Sequence, residues 1–554
     1  MRALLLASLL AAPAGAQTLS IVLTEGDLIP GIGAVASVDG VSIASDGTTF
    51  MKVDTDSSNT AADFVLLRNG TVFLREDQPV MLPAGARIGS FDGTSAGPGG
   101  TVALNLVLEG TTSTSDDAGV YFGGDLVLQE GATSTATAFS LGTVYTGFFD
   151  VQFGAPDEVL VVANVDDPGI PTAVDRALVV FEIDGAGSLV GESVVAREGQ
   201  VLPGQTEPIA DIETGAEESD INASGQVIYG VDLDGDTSVD RALYLDATLL
   251  AQEGQPSPIP GRNWGSLTGV EVDLNDACDY VFKSDVDGNP ADDDVIIRNG
   301  SVYRRAGDSL PDIGPFTFEN FGGSVGVWIT ESGNVIWYGD WNDPDTSRDE
   351  GLFLNDTLIL QEGVTSVGGS VIVGLSDLSE QIHVAPDGSR MLVEGQIAGP
   401  SGDLDVVIEI VLDLGFNYCD ATPNSTGVPA RISLAGTDVA AENGLVLFAS
   451  SLPNFSFGFF LTSLVQGFTA NPGGSAGNLC LAGSIGRYVG PGQILNSGAG
   501  GAFSLAVNLT QHPTPTGFVI VTAGETWNFQ AWYRDGVGGT PTSNFTDGTE
   551  LTFR

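Results

Sequence analysis

Basic side chains are scarce in this chain of 554 residues: 19 Lys and Arg, only two of them Lys, stand against 72 Asp and Glu, for a formal net charge of −53. A field of that sign repels nucleic acid and anionic lipid head groups, and it favours metal cations or basic partners. Histidine is nearly absent. With only His383 and His512, a three-His metal site is excluded by count, and no Ser-His-Asp or Cys-His pairing is legible. Beyond the N-terminus no stretch approaches the roughly 18 uninterrupted apolar residues that a membrane-spanning helix needs, so no membrane span is expected.

What is present begins with "MRALLLASLLAAPAGAQ". Arg2, an apolar run and the small residues Ala14-Gly15-Ala16 read as a cleaved signal peptide over residues 1–16, which implies export to the cell exterior, the cell surface or the periplasm. No Cys follows the cleavage site to carry a lipid anchor. Charge then divides the mature chain: residues 1–414 hold 65 acidic and 15 basic side chains (−50), and residues 415–554 hold 7 and 4 (−3). Two domains are expected, meeting near Leu414. The 75 Gly suit a turn-rich, all-β chain.

One phrase recurs across the first domain: "IVLTEGD" (21–27), "VFLREDQ" (72–78), "LVLQEGA" (126–132), "VVAREGQ" (194–200), "LLAQEGQ" (249–255), "VYRRAGD" (302–308) and "LILQEGV" (358–364). Its marks, Glu25, Glu76, Glu130, Glu198, Glu253, Ala306 and Glu362, lie 51, 54, 68, 55, 53 and 56 residues apart. Such a period suits one propeller blade per unit. A tight-turn site precedes the second apolar run of each unit, as in "ASGQVIY" (223–229) and "DACDYVF" (276–282). The fifth unit shows four short strand-like runs and an Asn299-Gly300 turn, without helical periodicity. The seventh ends without the phrase, and the N-terminal copy can supply its missing outer strand, Leu19 to Thr24. The expectation is a seven-bladed β-propeller over residues 17–414, closed by that strand, followed by a β-sandwich over 415–554. A Glu recurring in register reads as a strand-end residue, since a catalytic carboxylate occurs once or twice.

Asp-rich loops join the second and third runs of most units, and Asp-x-Asp pairs followed by a further carboxylate can converge oxygens on calcium. The candidate ligands are Asp232, Asp234, Asp236 and Asp240, then Asp285, Asp287 and Asp294. "DLDGDTSVD" (232–240) resembles the calcium hairpins of integrin-type propellers in its Asp-x-Asp start and its ninth-place Asp; Gly235 departs from the motif by standing fourth instead of sixth. The competing reading is a solvated hairpin in which Asp and Gly serve the turn.

In the second domain "FSFGFFL" (455–461) places Phe455, Phe457, Phe459 and Leu461 on one face, and "TWNFQAWY" (526–533) does so for Trp527, Phe529, Ala531 and Tyr533, the pattern of a two-sheet sandwich. Trp532 falls on the opposite face, where it can stack on a sugar ring or pack on a neighbouring loop. In an exported chain Cys419 and Cys480 are expected to pair and Cys278 to stay unpaired, the alternative being three reduced thiols.

The unit "INASGQVIYGVDLDGDTSVDRALYLDATLLAQEGQPSPIPG" (221–261) resembles exported bacterial tandem-repeat proteins over roughly residues 20–414. "SFGFFLTSLVQGFTANPGGSAGNLCLAGSIGRYVGPGQILNSG" (456–498) and "PTGFVIVTAGETWNFQAWYRD" (515–535) are similar to a C-terminal module shared by exported bacterial proteins with different bodies. Those resemblances imply fold and export, and a module that travels with unrelated bodies suggests sorting or surface attachment. Two functions are expected from this sequence. The favoured one is a binding or surface-interaction module for a glycan, a peptide or an envelope protein; the alternative is a carboxylate-dependent glycan hydrolase or lyase.

Overall fold

The computed structural model describes residues 18–553 apart from 156, 171–174, 186, 216–217, 238, 332, 400–401, 413, 436–437, 499–500 and 538–539. The expected signal peptide lies outside the described residues. The chain divides into two compact units, Leu19–Asp356 with Leu360–Ile410, and a second built mainly from residues 411–553.

The recurring phrase explains how the first unit is assembled. Each copy ends a strand in a turn whose Gly has positive φ, as at Gly26, Gly131, Gly199, Gly254, Gly307 and Gly363, where φ lies between 64° and 91°. Only Gly adopts that conformation without a Cβ penalty, and Asp77 (φ 57°) is the exception. The N–H of this residue donates to a carbonyl across the turn: Gly26 to Val35, Asp77 to Ile88, Gly131 to Tyr145, Gly199 to Ile209, Gly254 to Trp264, Gly307 to Phe318 and Gly363 to Ile372, all at 2.8–3.0 Å. Bonds return from the same acceptor residues, Val35 N–H to Asp27 O at 2.9 Å for instance. The phrase therefore ties the last strand of one sheet to the first strand of the next.

Seven antiparallel sheets follow one another in this way. The first runs Gly33–Ile43, Thr49–Thr55, Val65–Arg68, Thr71–Arg75; the second Arg87–Gly97, Thr101–Glu109, Ala118–Phe122, Asp125–Gln129; the third Val144–Phe153, Glu158–Asp166, Asp175–Ile183, Leu189–Arg197. The fourth to sixth repeat the order, with Thr248–Gln252, Ser301–Arg305 and Thr357–Gln361 as their last strands. In the seventh, Asp403–Val411 is followed not by the next segment of chain but by Thr18–Thr24. First strands touch in succession from Gly33–Ile43 through Arg87–Gly97, Val144–Phe153, Ser219–Ile221 and Val272–Leu274 to Val327–Ile329. Glu331 N–H then donates to Pro386 O (2.9 Å) in the seventh sheet, whose Ile382–Val384 contacts Gly33–Ile43 again. Apolar side chains fill the spaces between sheets, such as Phe50, Leu66, Ile88, Leu104 and Tyr121 between the first and second.

In the second unit a large sheet runs Phe416–Cys419, Gly548–Thr552, Thr526–Val537, Phe457–Ser463, Gly486–Arg487. A smaller one contains Arg431–Ala435, Val446–Ser450 and Phe503–Ala506. Their main core joins Ile432, Leu434, Leu447 and Ala449 to Phe460, Trp527, Phe529, Ala531 and Tyr533. On Phe457–Ser463 the residue that enters this core is Phe460, whereas Phe459 and Leu461 face a second, smaller cluster and Phe455 and Phe457 are exposed. Both faces of this sheet carry apolar residues, so alternation did not reveal which face was the main core.

Candidate functional site

The first strands of the ring are irregular in register, shifting between Val38 and Gly40, Phe91 and Thr94, and Phe148 and Val151. Each shift leaves carbonyls without ladder partners, and long polar side chains from the preceding sheet satisfy them. Lys52, whose side chain is 8% exposed, donates from Nζ to Asp92 O (2.9 Å) and to both oxygens of Glu380 (3.1 and 3.0 Å). Asn105 Nδ2 donates to Phe148 O (2.7 Å), Phe149 O (2.9 Å) and Asp92 Oδ2 (2.9 Å). Lys283 Nζ donates to Gly322 O (3.0 Å) and to Val325 O, beside Glu271 (3.4 Å).

A cavity opens beside Lys52, lined also by Thr94, Asp150, Gln152, Glu380 and His383. It offers about 30 Å³ to water-sized occupants, room for about two waters and far below the space a sugar ring needs. Burial pushes the Asp150 carboxyl up to about 7 against the hydrogen bond from Gln152, and it raises Asp92 against the pull of Lys52. Burial likewise pushes His383 down to about 4, and its Nδ1 accepts from Ile43 N–H at 3.3 Å, so the neutral ring carries its proton on Nε2. The site thus holds one ion pair, two protonatable carboxyls and a neutral imidazole in a nearly filled space. Sequence reading passed over Lys52, Asp92, Asp150 and Glu380. The available signal was the placing of the only two Lys in matching strands, "TFMKVD" and "YVFKSD".

The Asp loops lie elsewhere. Asp232 pairs with Arg241 (3.0 Å), which also holds Glu213. Burial and the nearby Asp240 raise the Asp232 carboxyl to about 6. Asp285 and Asp294 stand opposite each other across two strands; burial, then the hydrogen bond and repulsion from Asp285, push Asp294 up. Asp287 accepts from Asn263 N–H (3.0 Å), and Asp234 N–H bonds Pro208 O (2.9 Å). Residue 238 of the first hairpin lies outside the described residues. Among the described residues no three His, Cys, Asp or Glu side chains gather as a cation requires, and Asp232 is already committed to a guanidinium. As they stand, these carboxylates are spread over separate partners and do not gather around one point.

The phrase Glu is a backbone acceptor in several copies. Glu253 Oε1 accepts from Leu267 N–H (2.9 Å), Glu130 Oε2 from Asp117 N–H (3.2 Å) and Glu76 Oε2 from Phe64 N–H (3.2 Å). Glu362 is buried among Glu350, Asp349 and Asp340, and burial more than their repulsion pushes it up to about 7.

In the second unit Cys419 and Cys480 are joined by a disulfide, their Cα atoms 6.2 Å apart, and Cys278 is free. Trp532 is half-buried and stacks on Phe459, ring centroids 5.0 Å apart, so part of its sugar-stacking surface is covered. His512 is fully buried between Thr462 Oγ1 (2.9 Å) and Tyr488 OH (3.0 Å).

No family model and no curated protein matches the chain. Among solved structures it is similar to TolB from Acinetobacter baumannii (11% identity, 55% of this chain and 59% of that one, TM-score 0.26). A neuraminidase-like protein of A/flat-faced bat/Peru gives 11% identity, 72% and 97% coverage and TM-score 0.29. The Trypanosoma rangeli sialidase gives 12%, 93% and 97%, and 0.26. The chain spans 59% of the TolB chain it matches, and likenesses of this size carry no functional argument. No helix among the described residues is long and apolar enough to cross a membrane.

Proposed function

We propose that the cyclic unit is a seven-bladed β-propeller clasped by Thr18–Thr24, that the second unit is a β-sandwich, and that the exported protein is a binding or surface-interaction module. The observation that carries this reading is the cavity at the first strands: Lys52 and Glu380 are bonded to each other across it, and it has no room for a sugar between carboxylates. Binding needs no such pocket. The connections that follow the phrase offer exposed apolar residues instead, Leu28 (81%), Met81 (82%), Leu141 (102%) and Val201 (54%), one in each of four successive connections. Recurrent exposed apolar residues on a strongly acidic body suit contact with a glycan, a peptide or an envelope protein.

Retention of the protein on a panel of immobilised polysaccharides, read together with release of new chain ends from the same polysaccharides, tests the reading. Retention without release is expected. Release abolished by Asp150→Asn or Glu380→Gln would replace it with the hydrolase or lyase.

A further inference from the structure

The acidic body neutralises most of its few arginines; Arg176, Arg241, Arg262 and Arg390, for example, all hold carboxylates. Arg487 and Arg534, in the second unit, are exposed, and among the described residues neither makes an ion pair. Arg68, Arg75, Arg197 and Arg431 make no ion pair among the described residues either; what distinguishes Arg487 and Arg534 is that both are exposed and the sheet register places both on one face.

Arg487 stands directly opposite Leu461, Trp532 opposite Phe459 and Asn496 opposite Phe457. Residues opposite in an antiparallel pair share a face, as do residues two apart on one strand. Phe457, Phe459, Trp532, Arg534 and Arg487 therefore lie on the same side of the sheet, away from the main core that takes Phe460, Tyr488 and Tyr533. At one end Phe459, Leu461, Trp532, Leu481 and Phe545 close over one another. Toward the other end Phe457 (51%) remains open. From Phe457 to Leu461 the face extends about 14 Å at the usual strand rise, with Arg534 toward one end and Arg487 at the other.

We propose that this face binds an anionic oligosaccharide. Phe457 presents apolar surface to the C–H face of a sugar ring, and Arg487 and Arg534 offer forked donors to carboxylate or sulfate groups on the chain. Charge complementarity favours this occupant. Residues 415–554 carry 7 acidic and 4 basic side chains (−3) against −50 over residues 1–414, so of the two units this one opposes an anion less. A second copy fits less well, because a self-complementary contact would set unpaired guanidiniums against one another. The inference does not depend on how the ring functions.

Calorimetric titration of the full chain with oligogalacturonate, and with maltohexaose as the uncharged control, tests it. Oligogalacturonate should bind and maltohexaose should not, with Arg487→Ala, Arg534→Ala and Phe457→Ala each weakening association by about tenfold. Affinity should fall when NaCl rises from about 0.05 to 0.5 M. All three positions are exposed, so melting curves should be unchanged; if Phe457→Ala alone alters the melt, the two Arg variants decide. No binding at about 10 mM ligand, equal binding of maltohexaose, or arginine variants that bind as the parent does would each overturn the proposal. Concentration-dependent dimerisation lost in Phe457→Ala would assign the face to a second copy instead. None of these outcomes bears on polysaccharide retention through the connections that follow the recurring phrase, which Leu141→Ser and Met81→Ser probe separately.

Discussion

Lys52 and Lys283 occupy the same place in their units: each is the fourth residue of a second strand, and each reaches forward to the irregular first strand of the next sheet. Asn105 does the same from the second sheet with a shorter arm. The few polar side chains allowed between sheets thus answer a defect in the backbone ladder. Cys278 departs from its unit differently. It closes a turn on Asn275 O (3.0 Å), as Gly47, Gly225, Gly333 and Gly388 close theirs on Ala44, Asn222, Thr330 and Ala385. Those glycines have φ of 82°, 74°, 75° and 70°, and Cys278 is held at 65°. A Cβ in that region costs about 1–2 kcal/mol, part of which the lost thiol packing and the freer unfolded chain of a glycine take back. Cys278→Gly should therefore stabilise the protein by about 0.5–1 kcal/mol, seen as a higher urea midpoint. A lower midpoint would mean that the thiol's packing against the fourth and fifth sheets outweighs the backbone relief.

Among the strands, the last one of each sheet was the most legible from sequence, because its chemistry is fixed at a fixed spacing: an apolar alternation, a Glu that accepts backbone N–H groups, and a Gly required by positive φ. The first strands were not legible. Their register shifts break the alternation, and in the fourth sheet the strand is split into Ile209–Ile212 and Ser219–Ile221. Of the cavity only Lys52, at a position matching that of Lys283, was legible, since Lys52, Asp92, Asp150 and Glu380 are drawn together from four separate stretches. On Phe457–Ser463 alternation put Phe457, Phe459 and Leu461 on one face, as the register has them, but not which face meets the main core, because both faces are apolar. The closing strand provides a test at this scale. Leu23 is 7% exposed and packs with Leu392 and Val407 of the seventh sheet and Val41 and Met51 of the first. Leu23→Ala should cost about 2–4 kcal/mol, and deleting residues 18–24 should expose the edge at Asp403–Val411 to hydrogen exchange. Slow exchange there in the deletion variant would show that the edge does not need its N-terminal partner.

For the whole molecule, the uneven burial of its carboxyls sets the pH response. Burial raises Asp150 and Glu362 to about 7 and Glu394 to about 8, from ordinary values of 3.8 and 4.5, and Glu394 Oε2 is buried without a hydrogen-bond partner. Above pH 4.5 the folded chain therefore holds protons that the unfolded chain has released. The stability these groups contribute is complete below the ordinary values of 3.8 and 4.5, and it is lost progressively as pH rises from there through 7 and 8. His383 and His512 act in the opposite direction. Burial lowers them to about 4 and about 3 from 6.5, so they withdraw stability only as pH falls below 6.5. Above that value both are neutral in either state. Between about pH 6.5 and 9 the carboxyls act without the histidines, and the melting temperature should fall steadily as pH rises. Glu394→Gln keeps the shape and removes the titration, so it should melt like the parent near pH 4.5, melt above it by pH 6.5, and flatten the slope up to about pH 8. A melting temperature that is level or rising across this range would show that water reaches these carboxyls in solution.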